Sequence, residues 1–524
     1  MKLKENALSR STQKGTSLRQ FVRNSQTGCI VVDCLSSDTT EEAIVETLRA
    51  LFDVPAETVT ADVSRILEEL RRLDALVECP TAAAPNHHTY RRNNSMSNQF
   101  NHILRDQIDA VCKKLYEMGR DDLALLFTKC YPNTLETTTK LLDDGSAFVI
   151  TGDIHAMWLR DSAAQVHHYL PVAAVNDELA DIIEKMIKRY SIYVPKDPYA
   201  NAFNECDNDR GHKTDLTFRS PWVWERKYEV DSLCSVIFIA YKFWKKTGRT
   251  GHLDEDYKAM LSIILDLWET EQYHAEKSPY TFERPDAPVQ TDTLRNEGRG
   301  TPVGYTGMTW SGFRPSDDAC DYHYLIPSEM YAVVVLRYLA EMAREVYGDE
   351  ALALRAEKLG GEIDAGIQKY GIVEHPKYGK IYAYETDGLG NYNLMDDANV
   401  PSLLSAPYLG YCSAEDPIYQ NTRRFILSED NPYYFSGKTL HGIGSPHTKP
   451  GYVWPISLAL QGLTSSDPDE VEEVLAMMAK SHAGTYFMHE SIDANDETNF
   501  SREWFAWANS IFSELVLKYA GFEV

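Results

Sequence analysis

Apolar residues recur at intervals of three and four along most of this 524-residue chain, and this periodicity restricts the fold more than any other feature. Such spacing places apolar side chains on one face of an α-helix, which must then pack against another element. Ten segments show the pattern and predict a mainly α-helical protein: 98–118, 120–130, 174–191, 229–246, 252–272, 325–347, 349–369, 452–463, 468–481 and 502–520.

Long connections rich in Trp, Tyr, Pro, Gly and Asp separate several of these helices. The clearest examples are residues 194–224, 300–323 and 380–411. Loops longer than about 12–15 residues in a compact domain are usually functional or disordered, and these contain too many aromatic residues for disorder. Roughly a dozen helices with long loops at alternate connections predict an (α/α)6 barrel, a ring of paired helices whose loops build a site at one end.

A polar segment divides the chain into two parts. Residues 79–97 read CPTAAAPNHHTYRRNNSMS and predict a linker. The large remainder, 98–524, carries the helical pattern described above. Residues 1–78 are expected to form a small winged-helix-like α+β unit, with one strand and two amphipathic helices at 27–35, 39–53 and 58–74.

Charge and composition argue against several classes of function. The formal net charge of −26 disfavours a nucleic-acid partner, which requires a basic surface. No run of about 18 apolar residues occurs, so no membrane association is expected. The first twenty residues lack an apolar signal core and the nine cysteines are scattered, which predicts a cytoplasmic protein with reduced thiols. No HExxH or Cys/His cluster appears, so neither a metal nor another cofactor is expected.

Residues 151–166, TGDIHAMWLRDSAAQV, carry the most concentrated functional chemistry of the chain. If this segment turns helical near Trp158, then Trp158, Asp161 and Gln165 share one face. An aromatic ring can stack on the C–H face of a sugar while a carboxylate and an amide bind its hydroxyl groups. The alternative is a helix N-terminus with a solvated charged face.

Aromatic and acidic residues are combined again in later segments. In 220–234 two tryptophans precede a helix that carries Asp231, and pairing of Asp231 with Arg226 or Lys227 is slightly favoured over a catalytic role. In 392–411 the pair Asp396–Asp397 either caps a helix or binds substrate, and the sequence leaves both open.

The segment 305–327 contains the adjacent carboxylates Asp317 and Asp318. Neighbouring carboxylates raise each other's pKa, which would keep one of them protonated as an acid. The alternative interpretation is a helix N-cap formed by Ser316 or Asp317, and the two interpretations are compatible.

The segment 487–515 places Glu490 next to His489, before an aromatic cluster that opens the last helix. A role for Glu490 as a general base is plausible. Glycoside hydrolysis needs one protonated carboxyl group for the leaving oxygen and one carboxylate for water or the anomeric carbon. No nucleophilic triad, phosphate cradle or metal pattern competes with this interpretation.

Taken together, these motifs resemble glycoside hydrolase family 125, the exo-acting α-1,6-mannosidases, over more than 400 residues from about residue 98 onwards. The resemblance implies an (α/α)6 barrel that acts with inversion and without a metal on a mannose-containing oligosaccharide. It rests on the strings TGDIHAMWLRDSAAQV, VWERKYEVDSLC, GFRPSDDACDYHYLIP, MDDANVPSLL, GIGSPHT, YVWPISLALQGLT, MHESID and REWFAWANSIFSEL.

The same resemblance implies roles for individual residues. The general acid lies in the RPSDDAC segment, where Asp317 is favoured and Asp318 stays open, and Glu490 is the general base. An inverting pair of this kind is expected to stand about 6.5–9.5 Å apart. The remaining residues are implied in substrate binding, with Arg160 and Asp161 on the terminal mannose and the others as pocket neighbours: Trp158, Arg314, His447 and His489.

Two alternatives remain for the large domain: another α/α-toroid carbohydrate enzyme, such as a glucosidase or a phosphorylase, and a glycan-binding protein without catalysis. In the small unit, residues 39–76 resemble part of the peptide-binding PqqD-like domains, which implies a peptide or protein partner. A helical cap that packs on the main domain is at least as well supported.

Overall fold

The computed structural model describes residues 101–524, together with Lys2–Leu3, Val63 and Leu76–Val77. The chain divides into two compact units, Met1–Arg92 and Asn93–Val524, and this division falls inside the segment 79–97. In the first unit, Lys2–Leu3 pairs antiparallel with Leu76–Val77. Apart from Val63, which is helical and buried, the strand and helices expected at 27–35, 39–53 and 58–74 lie outside the described residues.

The described part of the second unit contains twelve α-helices of nine or more residues. They are α1 (Asn101–Glu117), α2 (Asp121–Cys130), α3 (Leu159–His167), α4 (Asp177–Tyr193), α5 (Val230–Thr247), α6 (Glu255–Glu271), α7 (Ile326–Glu345), α8 (Glu350–Tyr370), α9 (Pro417–Ile426), α10 (Pro455–Leu463), α11 (Pro468–Met478) and α12 (Ala506–Tyr519). Shorter helical turns are Thr134–Thr138, Leu170–Ala173, His274–Lys277, Gln290–Asp292, Arg295–Gly298 and Ala406–Leu409.

All ten helices predicted from periodicity are confirmed, and two more occur. Helix α3 follows Trp158, where the sequence allowed a helix, and α9 was not predicted. The side chain of Asp416 caps α9 by accepting the backbone N–H groups of Ile418 and Tyr419, and Pro417 occupies its first turn. An acidic cap followed by proline is a start signal for a helix. The buried residues Tyr419, Thr422, Phe425 and Ile426 also recur at helical spacing, so the sequence carried a signal that the prediction missed.

The burial of the helices separates an inner from an outer layer. Every residue from Ala506 to Leu517 of α12 and from Pro455 to Gly462 of α10 is buried, as expected for helices surrounded on all sides. The inner helices pack in the order α10, α12, α3, α5 and α7, with Ala406–Leu409 against α7. Helices α2, α4, α8 and α11 pack outside α12, α5, α7 and α10. The fold is therefore the expected (α/α)6 barrel.

Short strands precede the inner helices and hold the loops at one end of the barrel. Met157–Trp158 lies before α3 and pairs antiparallel with Ala202–Phe203, which in turn pairs with Val223–Glu225 before α5. The remaining strands, most of them in antiparallel pairs, are Thr139–Leu141 with Ala147–Val149, Tyr324–Leu325, Ile372–His375 with Gly379–Tyr382, Glu385–Thr386 with Tyr392–Asn393, Tyr434–Ser436 with His441–Ile443, and Tyr452–Val453 with Ser491–Asp493 and Asp496–Ser501.

Six of the nine cysteines lie among the described residues, and all six are free thiols. In the part of the chain that the structure covers, no helix is both long and apolar enough to cross a membrane.

Candidate active site

A cavity opens at the end of the barrel where the inner helices begin, and it brings together six of the nine residues predicted for the site. These six are Trp158, Arg160, Asp161, Asp317, His447 and Glu490. Thr151, Ile154, Pro315, Ser316, Asn399, Trp454, Arg502, Phe505 and Trp507 complete its lining. A larger groove between α7 and α8 contains none of the predicted residues.

Arg160, in the first turn of α3, is the buried cation at the centre of the site. Its Nη1 donates to the carboxylates of Glu229, at 2.5 Å, and Asp231, at 2.9 Å. Asp161 and Asp317 each place a carboxylate oxygen 3.8 Å from other nitrogens of the same guanidinium group. One positive charge is therefore surrounded by four carboxyl groups.

Asp231 was slightly favoured to pair with Arg226 or Lys227, and this interpretation is wrong. Its partners are Arg160 and the hydroxyl group of Ser328, which donates to Asp231 at 3.1 Å. The carboxylate is completely buried, so it needs such charged and polar partners. The sequence could not identify them because they lie on α3 and α7.

Asp317 occupies a tight turn and projects its carboxylate into the cavity. Its backbone is in the left-handed region, with φ at 70°, and its N–H donates to the carbonyl oxygen of Arg314 at 2.9 Å. The Lys227 ammonium group donates to the backbone oxygen of Asp317 at 2.7 Å. No helix begins here, because α7 starts at Ile326, so the expected N-cap at Ser316 or Asp317 is wrong.

The pKa of Asp317 is not raised, contrary to the expectation from its adjacency to Asp318. Burial raises the pKa of Asp317, but the positive charges of Lys227, Arg160 and His447 outweigh it and lower that pKa below its usual value. The turn separates the two side chains, since Asp318 is buried beneath the cavity with its Oδ1 3.7 Å from Nδ1 of His447. Asp317, and not Asp318, lines the cavity.

His447 connects Asp318 to the cavity. Burial alone would lower its pKa, but its hydrogen bond with Asp318 and the charges of Asp318, Asp317 and Glu490 raise it to about 9. At neutral pH this imidazole is therefore a cation that faces two carboxyl groups of the cavity.

Glu490 enters the cavity from the other side, on the segment that leads to α12. Its Oε2 accepts a hydrogen bond from Ser501 at 3.0 Å, and its Oε1 lies 3.5 Å from Nη1 of Arg502. Arg502 is fixed in turn by Asp153, whose Oδ1 accepts from Nε at 2.8 Å. Glu490 is thus held by one hydroxyl group and one guanidinium group while it lines the cavity.

His489, predicted as a pocket neighbour, does not reach the cavity. Its ring stacks on Phe500 with centroids 3.8 Å apart, and its Nδ1 lies 2.9 Å from the carbonyl oxygen of Glu503. Successive side chains of an extended chain point to opposite sides, so the placement of Glu490 in the cavity directs His489 away from it.

Arg314 also lies outside the cavity, contrary to expectation. Its Nε donates to Glu385 at 2.6 Å and its Nη2 donates to Asp321 at 3.2 Å, and the side chain is buried. Because its backbone N–H and the carbonyl oxygen of Asp318 close the turn at 2.7 Å, Arg314 supports the loop that presents Asp317.

Three further candidates have structural roles. Gln165 donates to the carbonyl oxygen of Ile150 at 3.1 Å and is fully buried behind the cavity. Asp396 accepts the backbone N–H groups of Leu403 and Leu404, and burial raises its pKa to about 8. Asp397 accepts from the hydroxyl group of Ser316 at 2.6 Å. The pair Asp396–Asp397 thus stabilises loops around the site and is not part of the cavity lining.

Sequence reasoning missed several groups that the structure places at the site. Asn201, Lys227 and Glu229 surround Asp317, and Arg502 faces Glu490. Glu229 and Lys227 belong to the string VWERKYEVDSLC, so a signal existed for them. Arg502 opens the string REWFAWANSIFSEL and carried a signal as well. Nothing in the spacing indicates Asn201, because it comes from a loop whose position depends on the whole barrel.

This combination of an (α/α)6 barrel with a cavity of carboxylates, tryptophans and arginine defines a class of enzyme, the glycoside hydrolases of the helical-barrel type. Residues 120–517 match the family model described as metal-independent α-mannosidase, glycoside hydrolase family 125. The chain belongs to this family. Residues 17–76 match a second family model, described as coenzyme PQQ synthesis protein D.

Two relatives support the assignment over the same part of the chain. A metal-independent α-mannosidase from Streptococcus pneumoniae, solved as a non-productive complex with α-1,6-mannobiose, is 49% identical with a TM-score of 0.79. That similarity covers 80% of this chain and 99% of the other. The meiotically up-regulated gene 157 protein of Schizosaccharomyces pombe is 43% identical over 423 residues, which is 76% of this chain and 83% of the relative.

Proposed function

We propose that this α-mannosidase is exo-acting, cleaves α-1,6-linked mannose from the non-reducing end of mannosides or N-glycan fragments, and inverts the anomeric configuration. The observation that carries the proposal is the presence of Asp317 and Glu490 in one cavity, on loops that precede two different inner helices. The Streptococcus pneumoniae relative, crystallised with α-1,6-mannobiose, supports the choice of linkage.

Inversion requires an acid on one side of the bond and a base that activates water on the other. We assign the acid to Asp317 and the base to Glu490. Ser501 and Arg502 bind the two oxygens of Glu490 and leave lone pairs that can accept a proton from water. Asp317 gives its proton to the glycosidic oxygen, the C1–O bond breaks, and the activated water adds to C1.

The terminal mannose is bound by polar and aromatic groups at the bottom of the cavity. Asp161 is held by the hydroxyl group of Thr151 at 2.6 Å, and together with Arg160 it can bind the sugar hydroxyl groups. Trp158 and Trp507 line the same cavity and offer faces on which a pyranose ring can stack. Exo-action is supported by the resemblance of the chain's motifs to the exo-acting α-1,6-mannosidases.

The test is proton NMR of the anomeric signals during hydrolysis of α-1,6-mannobiose. Initial release of β-mannose is the expected result. Initial α-mannose would contradict inversion, and no release of mannose would contradict the substrate. Parallel reactions with an α-glucobiose, and with and without inorganic phosphate, separate the proposal from a glucosidase or a phosphorylase.

Two variants test the assignment of the acid and the base. Asp317→Asn and Glu490→Gln are each expected to lose about 10²–10⁴-fold in kcat, the usual contribution of general acid–base catalysis, while mannobiose still binds. Asp318→Asn is the matched control, because Asp318 is adjacent in sequence but buried outside the cavity. A larger loss in Asp318→Asn than in Asp317→Asn would transfer the acid role to Asp318.

For the small unit we propose a peptide or protein partner, supported by the match of residues 17–76 to the PqqD family model. Hydrogen exchange of the full chain, with and without peptides selected from a display library, tests this proposal. Protection confined to residues 17–76 is expected. Failure to select any peptide, or protection only in the large domain, would favour a structural cap.

A further inference from the structure

The surroundings of Asp317 contain more carboxyl groups than the cations can balance. Arg160 alone faces four of them. The other cations near the cluster are each shared with further carboxyl groups: Lys227 with Asp292 at 2.6 Å, His447 with Asp318, and Arg502 with Asp153 and Glu490. An unpaired buried charge is costly, and a group in that situation takes up a proton instead. At least one carboxyl group of this cluster therefore holds a proton at neutral pH.

Hydrogen bonds single out Glu229 as the holder of that proton. Its Oε2 already accepts from Arg160 and from Ser232, the latter at 2.7 Å. Its Oε1 lies 3.4 Å from Nδ2 of Asn201, and Oδ1 of Asp317 lies 3.5 Å from the same nitrogen. The two carboxyl groups thus converge on one amide nitrogen, where a proton shared between them relieves the repulsion of two like charges.

The other carboxyl groups around Arg160 lack this contact. Asp231 is engaged with Arg160 and Ser328, and Asp161 is engaged with Thr151. Glu225 also contacts Asn201, at 3.3 Å, but Arg284 donates to it at 2.8 Å. Glu229 is therefore the carboxyl group of the cluster that meets Asp317 on the Asn201 amide and has Arg160 as its cationic partner.

The electrostatic environment agrees with this assignment. Burial raises the pKa of Glu229 well above its usual value, and the charges of Asp317 and Asp231 raise it further against the opposing charge of Arg160. The charged groups that face the pair come from several elements, namely Arg160, Asp161, Glu225, Lys227, Asp231 and His447.

We propose that Glu229 holds the proton that Asp317 delivers to the glycosidic oxygen, so that the two carboxyl groups act as one proton-donating pair. The proposal rests on the mannosidase function and the acid role given above to Asp317. Glu229 acts through Asp317 and does not touch the substrate. It explains how a carboxyl group next to two cations can serve as an acid.

The proton balance of the cycle is complete. The protonated Glu229 transfers its proton to the Asp317 carboxylate, and Asp317 transfers it to the glycosidic oxygen as the C1–O bond breaks. Water adds to C1 and loses a proton to Glu490. Solvent then carries that proton back to the Glu229–Asp317 pair, and the net reaction consumes one water for each bond broken.

Glu229→Gln tests the proposal, because glutamine keeps the shape of Glu229 and can still accept from Arg160 and Ser232, but it has no acidic proton to transfer. With α-1,6-mannobiose, kcat/KM at neutral pH is expected to fall by about 10²-fold or more. With dinitrophenyl α-mannoside, whose leaving group departs without a proton, the rate should stay within about threefold of the wild type. The alkaline limb of the pH profile with mannobiose should move about one pH unit or more towards acid.

Glu225→Gln is the matched control, since Glu225 contacts the same Asn201 amide but is held ionised. Burial raises its pKa, yet Lys227 and Arg284 outweigh burial and lower it. This variant should keep the wild-type ratio of rates on the two substrates. Equal losses on both substrates in Glu229→Gln with an unmoved alkaline limb, or the same leaving-group effect in Glu225→Gln, would overturn the proposal. A wild-type protein inactive on mannobiose would instead overturn the proposed function.

Discussion

Removal of the positive charge of Arg160 should destabilise the protein in a way that depends on pH. Methionine fills much of the same volume, so Arg160→Met mainly removes the guanidinium group. The side chain is 5% exposed, and its hydrogen bonds to Glu229 and Asp231, at 2.5 and 2.9 Å, would be lost. Both acceptors are fully buried and cannot regain contact with water.

The size of the effect follows from two independent considerations. Removing one partner of a buried ion pair costs about 3–5 kcal/mol. Alternatively, the newly unpaired carboxylate of Asp231 takes up a proton, and for an aspartate with an unfolded-state pKa of about 3.9 this costs about 4 kcal/mol at pH 7. We therefore expect Arg160→Met to lower the free energy of unfolding by about 4 kcal/mol at pH 7.

The sign of the pH dependence follows from that proton. The folded variant binds one proton more than the folded wild type, while the two unfolded states bind the same number, so the loss of stability grows by about 1.4 kcal/mol for each pH unit of increase. The difference in the free energy of unfolding between Arg160→Met and the wild type should therefore be about 1.4 kcal/mol smaller at pH 6 than at pH 7. Urea denaturation followed by tryptophan fluorescence at the two pH values measures this change.

Arg189→Met is the control for the loss of a buried arginine. Arg189 is also fully buried, but its carboxylate partner Asp144 is 48% exposed and can return to water without a proton. Arg189→Met should therefore lower the free energy of unfolding by an amount that depends little on pH. The reasoning is refuted if Arg160→Met loses the same stability at both pH values, or if Arg189→Met shows the same pH dependence.

Three further predictions concern the rest of the site. The pKa of His447 is raised from 6.5 to about 9, so its charge adds stability that is complete below pH 6.5 and is lost as pH rises through 9. Because the side chain is 37% exposed, the loss amounts to only about 1 kcal/mol. In urea denaturation the wild type should show this pH-dependent loss and His447→Gln, which has no imidazole, should not. Gly152→Ala would place a Cβ atom 2.3 Å from the carbonyl oxygen of Trp504, at a φ of +144°. The substitution should therefore lower the free energy of unfolding by about 1–3 kcal/mol and raise KM for mannobiose. Unchanged thermal stability would contradict this prediction. Prolonged dialysis against a chelator should leave activity unchanged, as the family description implies, and a loss restored by a divalent ion would contradict it.

Much of the fold could be predicted because its signals are local. The outer helices α4 and α8 follow from apolar spacing alone, which reports which face of each helix is buried. Helix α9 carries the same kind of signal over only ten residues, after the Asp416 cap, and the prediction missed it. The aromatic and acidic loops indicated sugar chemistry because those residue types suit it wherever they meet.

The assignment of neighbouring residues to opposite roles could not be predicted. Asp317 lines the cavity while Asp318 is buried under His447, and Glu490 lines it while His489 packs on Phe500. A turn with a positive φ separates the first pair, and an extended chain separates the second. Sequence adjacency therefore does not show which side chain of a pair enters the cavity.

The sequence by itself determined the helical ring, the division near residues 79–97 and the kind of chemistry that the loops carry, since hydrophobic period and residue type are properties of short segments. Only the tertiary structure decided the protonation of the site. Arg160 meets Glu229, Asp231 and Asp317 across 69, 71 and 157 positions of sequence. Charges interact strongly where burial removes water, and which charges are buried together depends on how the helices pack into the barrel.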